Sequence, residues 1–224
     1  MKAVCRPVGG HALLVDFAEQ VTPAVTEAIR AMDRALTADP FAGLQEVVPG
    51  LVGLMVVFDP QLCDHDQVRA QITKRLGQLS SAFDRPRQHK IPVCYDSAFG
   101  PDLVDVAQQT GLSVETVIAA HTSSRFEVTI YGFAPGYAYL SGLDQSLRLD
   151  RKPSPKRGVP AGSVVIAGGQ CLITTLTMPT GWWILGQSPQ PILTGDGARP
   201  FLFDVGDKVS FHRISRAQFE KGRR

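Results

Sequence analysis

The chain has 224 residues, 44% hydrophobic and 20% charged, which is enough apolar side chain for a sizeable core and excludes wholesale disorder. Twenty-three Lys and Arg against 21 Asp and Glu leave a formal charge of +2, which excludes the strongly basic face of a dedicated nucleic-acid binder. No stretch approaches the roughly 20 apolar residues that span a bilayer, and the apolar run 12–15 is cut at once by Asp16, so no signal peptide and a cytoplasmic location are expected.

His11 to Phe17 reads as a strand, and Thr22-Pro23 supplies a cap and a first-turn proline. Val25, Ala28, Ile29, Met32, Ala35 and Leu36 then recur at helical spacing. Leu44 to Val48 and Leu51 to Phe58 read as strands meeting at Pro49-Gly50, a natural hairpin turn. Asp64 opens a second helix with Val68, Ile72, Leu76 and Leu79 on one face, and Ile91 to Tyr95 reads as a closing strand. This β-α-β-β-α-β order predicts an α/β sandwich of the ferredoxin-like kind.

The polar, proline-broken segment Phe83 to Lys90 reads as a linker. Aromatic residues change density across it: only Phe17, Phe41, Phe58 and Phe83 precede position 90, and all Tyr and Trp follow. Two domains are therefore expected, 1–90 and 91–224. The second opens with two short helices, Pro101 to Gln109 and Ser113 to Ala120, parted by Gly111. Beyond Arg125, β-rich runs alternate with Gly/Pro turns: 126–131, 163–167, 171–176, 182–185, 201–203 and 208–214. That rhythm predicts a compact antiparallel sandwich or barrel with no further helix, followed by a solvated basic tail. The expected fold class is α+β.

Cys5, Cys63, Cys94 and Cys171 contain no C-x-x-C spacing and read as buried free thiols. Asp64, His65 and Asp66 are adjacent and point in different directions on a starting helix, so they read as its acidic N-terminus rather than a metal site.

Three segments carry more Gly, Pro and aromatic residues than a turn needs: 132–143 (GFAPGYAYLSGL), 151–170 and 178–189 (MPTGWWILGQSP). Their glycines permit close backbone approach to a ligand and their rings give flat apolar surface, although barrel corners and core aromatics explain them equally well. In order along the chain stand His121-Thr122-Ser123, Gly132 to Leu140, Val159 to Val164, and Gly181-Trp182 through Gly186, preceded by Phe99-Gly100-Pro101-Asp102-Leu103. With these motifs the sequence resembles the KipI-like proteins, also known as the 5-oxoprolinase B subunit or allophanate hydrolase subunit 1, which are related to part of the carboxyltransferase domain of urea carboxylase. The resemblance covers nearly the whole chain and is most specific over residues 99–189. It departs from the family pattern at Thr174-Thr175, at Thr180 and at Lys156, where the family has Tyr-Pro, Gly and Arg.

The resemblance implies an N-terminal α/β domain followed by a cyclophilin-like β-barrel. It also implies a KipA-like partner, the C subunit of the same enzyme, a separate A subunit, and ATP-dependent opening of the 5-oxoproline lactam to glutamate, with ATP bound at the level of the complex. Two other functions stay open: a carboxyltransferase-like subunit working with biotin, and a KipI-type regulator that inhibits a histidine kinase.

Candidate catalytic residues are His121, a base or carbonyl-orienting group beside Ser123 and Ser124, and Arg151 with Lys156 in a proline-stiffened cationic loop with Arg157. That loop suits an anion: the 5-oxoproline carboxylate, a phosphate or a carboxybiotin. Substrate contacts are expected from Phe133, Pro135, Gly136, Tyr137, Tyr139, Pro160, Gly162, Ser163 and Trp182, with Ser163 a turn residue rather than a nucleophile. Trp182 and Trp183 are expected to straddle a strand, one ring in the core and the other at a pocket wall or partner contact. There is no G-x-x-x-x-G-K-[ST], G-x-G-x-x-G or H-E-x-x-H motif, so the chain reads as inactive alone.

Overall fold

A computed structural model describes residues 3–79, 86–197 and 199–223. The chain divides into two compact units, Met1–Asp84 and Arg85–Arg224. Among the described residues no helix is long and apolar enough to cross a membrane.

The first unit runs β1 (Val4–Val8), β2 (Ala12–Asp16), α1 (Pro23–Ala38), β3 (Leu44–Pro49), β4 (Gly53–Phe58) and α2 (His65–Leu76). Thr22 caps α1 by accepting a hydrogen bond from the Val25 amide, and Val25, Ile29, Met32 and Leu36 form its buried stripe. Asp64 and Gln67 form a reciprocal capping box on α2, which accounts for the acidic start of that helix. The sheet is antiparallel in the order β1-β2-β4-β3, and Leu13, Val15, Leu54, Val56 and Phe58 pack under the helices.

The expected β-α-β-β-α-β order needs correction here, because the edge beside β2 is filled by β1 and not by Ile91 to Tyr95. β1 escapes a periodicity reading because it is an edge strand, mostly exposed, and carries Pro7. Residues 80–85, which include 83–85 of the expected linker, lie outside the described residues, and Gln88–Lys90 is already strand.

The second unit contains β5 (Gln88–Val93), α3 (Leu103–Thr110), α4 (Val114–Ser123), β6 (Phe126–Tyr131), β7 (Ala138–Ser141), a 3₁₀ turn at Gln145–Leu147, β8 (Lys156–Val159), β9 (Ser163–Ala167), β10 (Gln170–Ile173), β11 (Met178–Thr180), β12 (Trp183–Gln187), β13 (Lys208–Arg213) and α5 (Arg216–Gly222). Seven strands form one sheet in the order β12-β9-β10-β7-β6-β13-β5. Neighbours are antiparallel except β13 and β5, which run parallel. The two ends of this order meet where the Cys94 amide donates to Gln187 O (2.9 Å) and the Gln187 amide to Cys94 O (3.0 Å). The sheet is thus nearly closed and barrel-like.

All seven strands send residues to one core, among them Val93, Phe211, Val128, Leu140, Cys171, Ile166 and Leu185, and α3 and α4 pack against it. The period-2 alternation of β9, β10 and β12 sends their remaining side chains, Val165, Ala167, Leu172 and Ile184, to a second cluster on the opposite face with Tyr137, Val159 and Trp182. The β8–β11 ribbon contributes Val159 and Met178 to that second cluster.

Two further expectations are corrected. The basic end is not a solvated tail: Ser215 and Gln218 form a capping box on α5, and Phe219 is buried. Of the four free cysteines, Cys94 and Cys171 are buried, whereas Cys5 and Cys63 are only partly so.

Candidate functional site

The second cluster opens into a cavity of about 220 Å³. Leu172 and Trp182 come to it from the sheet face, Tyr137 and Tyr139 from the start of β7, and Pro179 to Gly181 from β11 and the turn after it. Phe133 and Arg151 complete its lining. The Tyr139 and Trp182 rings meet edge-on at 5.9 Å, as do Phe133 and Tyr137 at 5.6 Å, and the Arg151 guanidinium lies 5.9 Å from the centre of the Trp182 ring. Five of the expected site residues, Phe133, Tyr137, Tyr139, Arg151 and Trp182, thus meet in one place. Trp183 points the other way, against the main core, so the tryptophan pair does straddle the sheet.

Arg151 is set in a backbone pinned on both sides. The Trp183 indole Nε1 donates to Asp150 O (2.8 Å) and the Lys152 amide to Gly181 O (2.7 Å). The Lys152 ammonium turns away from the cavity to pair with Asp102, whose same carboxylate oxygen accepts the Ile184 amide at 2.9 Å. Asp102 sits at the N-cap of α3 yet makes no side-chain capping bond. Its carboxylate serves this buried pair instead, and the 99–103 turn delivers it there. A Cβ on Gly100 would overlap the Leu185 carbonyl oxygen, so only glycine lets the turn lie against β12. Lys152 and Asp102 are not among the expected site residues, although an acid directly after Gly100-Pro101 is an available signal.

Phe133 is the only non-glycine residue with positive φ (73°) among the described residues, and the residue is 77% exposed. A left-handed backbone costs an L-residue about 1 kcal/mol or more, and little burial offsets it. Phe133→Gly is therefore expected to raise stability by about 1 kcal/mol, measured by thermal unfolding; a loss of stability would show that the Phe133–Tyr137 contact outweighs the strain.

Burial, and then the neighbouring Tyr139, push the Tyr137 hydroxyl up to about 12. It donates to Met178 Sδ at 2.6 Å. The phenol is neutral at physiological pH and positions rather than ionises.

The remaining expected residues lie elsewhere. Gly136 (φ 72°) packs its backbone against Leu193 and Thr175, and Pro135 O accepts the Thr175 hydroxyl at 2.7 Å. Pro160 and Gly162 line a separate cleft with Gln187 to Pro191 and Phe219. The Ser163 hydroxyl donates to Pro160 O (2.9 Å), as the Thr174 hydroxyl does (2.7 Å). Thr174 and Thr175, two departures from the family pattern, thus tie the 160–163 and 132–137 turns in place. Lys156 and Arg157 are exposed on β8 rather than in a loop; Lys156 pairs across the ribbon with Thr180 and does not line the cavity.

His121 is also separate from Arg151. It is fully buried in the main core and stacked on Phe211 at 4.6 Å. Its Nδ1 meets the Tyr95 hydroxyl at 2.7 Å, and its Nε2 lies 3.5 Å from Cys171 Sγ. Cys171 and Leu172 are adjacent on β10 and face opposite sides, so the sheet stands between His121 and the cavity. Burial alone pulls the imidazole down to about 3, and it pushes the Cys171 thiol and the Tyr95 phenol up. The cluster is neutral near pH 7 and enclosed.

The motif segments converge on this cavity and the anchors around it, and the matching family model is the carboxyltransferase domain, subdomain C and D, over residues 3–203. The chain belongs to that family. The 5-oxoprolinase B subunit of Bacillus subtilis (strain 168) is 33% identical over 223 residues, 95% of this chain and 93% of the relative. Among solved structures, TTHA0988 is similar with a TM-score of 0.80 and 34% identity; the match covers 92% of this chain and only 40% of that longer one. The urea amidolyase of K. lactis matches with a TM-score of 0.75 over 98% of this chain and 15% of its own length, at 16% identity, a likeness of fold alone.

Proposed function

We propose that the chain is the B subunit of an ATP-dependent 5-oxoprolinase-type hydrolase, acting with a KipA-like C subunit and a separate A subunit. The observation that carries this reading is the cavity's chemistry, taken with the likeness to the 5-oxoprolinase B subunits. Its lining offers a cation, hydroxyls and aromatic walls, but no carboxylate, imidazole or thiol. Such a cavity can bind and orient; it has no group to move a proton near neutral pH or to attack a carbonyl. The match to a part of the longer TTHA0988 chain supports a site completed by a further polypeptide. The nearly closed sheet supports the cyclophilin-like barrel implied by the resemblance.

In the overall reaction, phosphorylation of the lactam oxygen makes the amide carbon open to water. ADP leaves at that transfer, water then adds to the carbon and the ring C–N bond breaks to leave a γ-glutamyl phosphate, and a second water cleaves that acyl phosphate to glutamate and phosphate. Nothing in this cavity suits a magnesium nucleotide, so no step of that chemistry is assigned to it; ATP belongs to the complex. The biotin reading draws on the fold likeness, which at 16% identity does not extend to chemistry.

The test is co-purification with the partner subunits, followed by an assay of ATP-dependent glutamate formation from 5-oxoproline. Turnover is expected from the complex and none from this chain alone. A well-folded complex that forms no glutamate would overturn the proposal.

A further inference from the structure

We infer that this chain by itself holds the small carboxylate substrate in the Arg151 cavity and leaves the nucleotide to another polypeptide of the complex. The ligand's identity as 5-oxoproline rests on the reading above; its class rests on the cavity. About 220 Å³ falls below the roughly 300–1,000 Å³ of pockets that take drug-sized ligands, so the occupant is a small ring and not a nucleoside triphosphate.

Charge gives the same answer. Arg151 is the one ionic group lining the cavity, and among the described residues no acid pairs with it. The neighbouring cation, Lys152, is neutralised by Asp102. One planar guanidinium matches one carboxylate through paired N–H donors. It does not match a triphosphate, whose magnesium would need carboxylate oxygens that this lining lacks.

The body of the ligand is fixed by the walls. Tyr139, Trp182 and Leu172 offer flat apolar surface to a five-membered ring. The ring of Phe133, exposed at the same cavity on a strained backbone, is placed to cover the bound molecule.

The full-length chain, free of partners, is titrated with 5-oxoproline by calorimetry and by fluorescence of its two tryptophans. Saturable one-to-one binding is expected. Arg151→Gln is expected to weaken it at least tenfold with an unchanged unfolding temperature, and Lys74→Gln on α2, an equal loss of charge in the other unit, to leave it unchanged. 2-Pyrrolidone, the same ring without the carboxylate, is expected to bind at least tenfold more weakly, and ATP not to displace 5-oxoproline.

No binding by the folded chain, equal affinity for 2-pyrrolidone, retained affinity in Arg151→Gln, or competition by ATP would each overturn the inference. A complex that makes glutamate from 5-oxoproline while the isolated chain binds none would overturn only this inference. Binding of the small carboxylate by the chain, with no turnover by the complex, would overturn only the 5-oxoprolinase reading.

Discussion

Asp102→Ala is expected to destabilise the second unit by about 3–5 kcal/mol, the usual effect of removing one partner from a buried ion pair. Both side chains of the Asp102–Lys152 pair are close to fully enclosed, at 10% and 12% exposure. Truncation strands the Lys152 ammonium and also removes the acceptor of the Ile184 amide. Urea unfolding monitored by circular dichroism measures the loss. Asp102→Ala combined with Lys152→Met is expected to recover part of it, because no uncompensated charge remains. In the reconstituted complex, single Asp102→Asn is expected to raise KM more than it lowers kcat, since its effect passes through the placement of Arg151. A loss below about 1 kcal/mol in Asp102→Ala, the range of a surface pair, would show that the pair is solvated.

The second large effect is on acid stability. His121 has its pKa depressed in the folded state, from 6.5 to about 3, by burial. Its neutral form favours folding, so its contribution is fully present above pH 6.5 and is lost as pH falls from there toward 3. The slope is up to about 1.4 kcal/mol per pH unit. Tyr95 and Cys171, which face the ring, have raised pKa values and stay neutral throughout this window. His212, lowered by burial and then by Lys90, acts in the same direction. Chemical denaturation at several pH values between about 7.5 and 4, which brackets most of that titration, is expected to show a steep fall for the native chain and a clearly shallower one for His121→Gln. Equal slopes would mean that the imidazole reaches water in the folded state.

Much of this site is legible in the sequence because glycine, proline and aromatic residues state their needs locally. The GFAPGYAYL turn announces Phe133, Tyr137 and Tyr139, and two consecutive tryptophans in an extended run announce one ring on each face of a sheet. What escapes is set by tertiary position. His121 reads like a catalytic imidazole from its neighbours in sequence, but one turn of α4 aims it into the barrel core, where desolvation decides its protonation state. Asp102 and Lys152 lie 50 residues apart, and nothing local links them.

Strands follow the same rule. β2, β4 and β9 carry buried apolar residues, whereas β1 and β8 are exposed edge or ribbon strands stabilised by their partners rather than by a hydrophobic face. The run Ile91 to Tyr95, most of which lies in the Gln88–Val93 strand, reads as closing the first α/β unit because chain order favours near neighbours. Its partner is instead the Lys208–Arg213 strand.

That parallel pairing has a consequence for synthesis. Gln88 must wait for Lys208, far downstream in the chain, before β5 gains its ladder. The first unit is made of contacts within its own segment, Met1–Asp84, and can fold while the ribosome is still at work, because domains fold as units in the order they emerge. The second unit cannot complete its sheet until β13 has been made. Throughout that interval β5 is an unpaired edge, open to other nascent chains. A ribosome stall between Val93 and Lys208 would leave that hazard standing, and chaperone dependence is expected to be concentrated there.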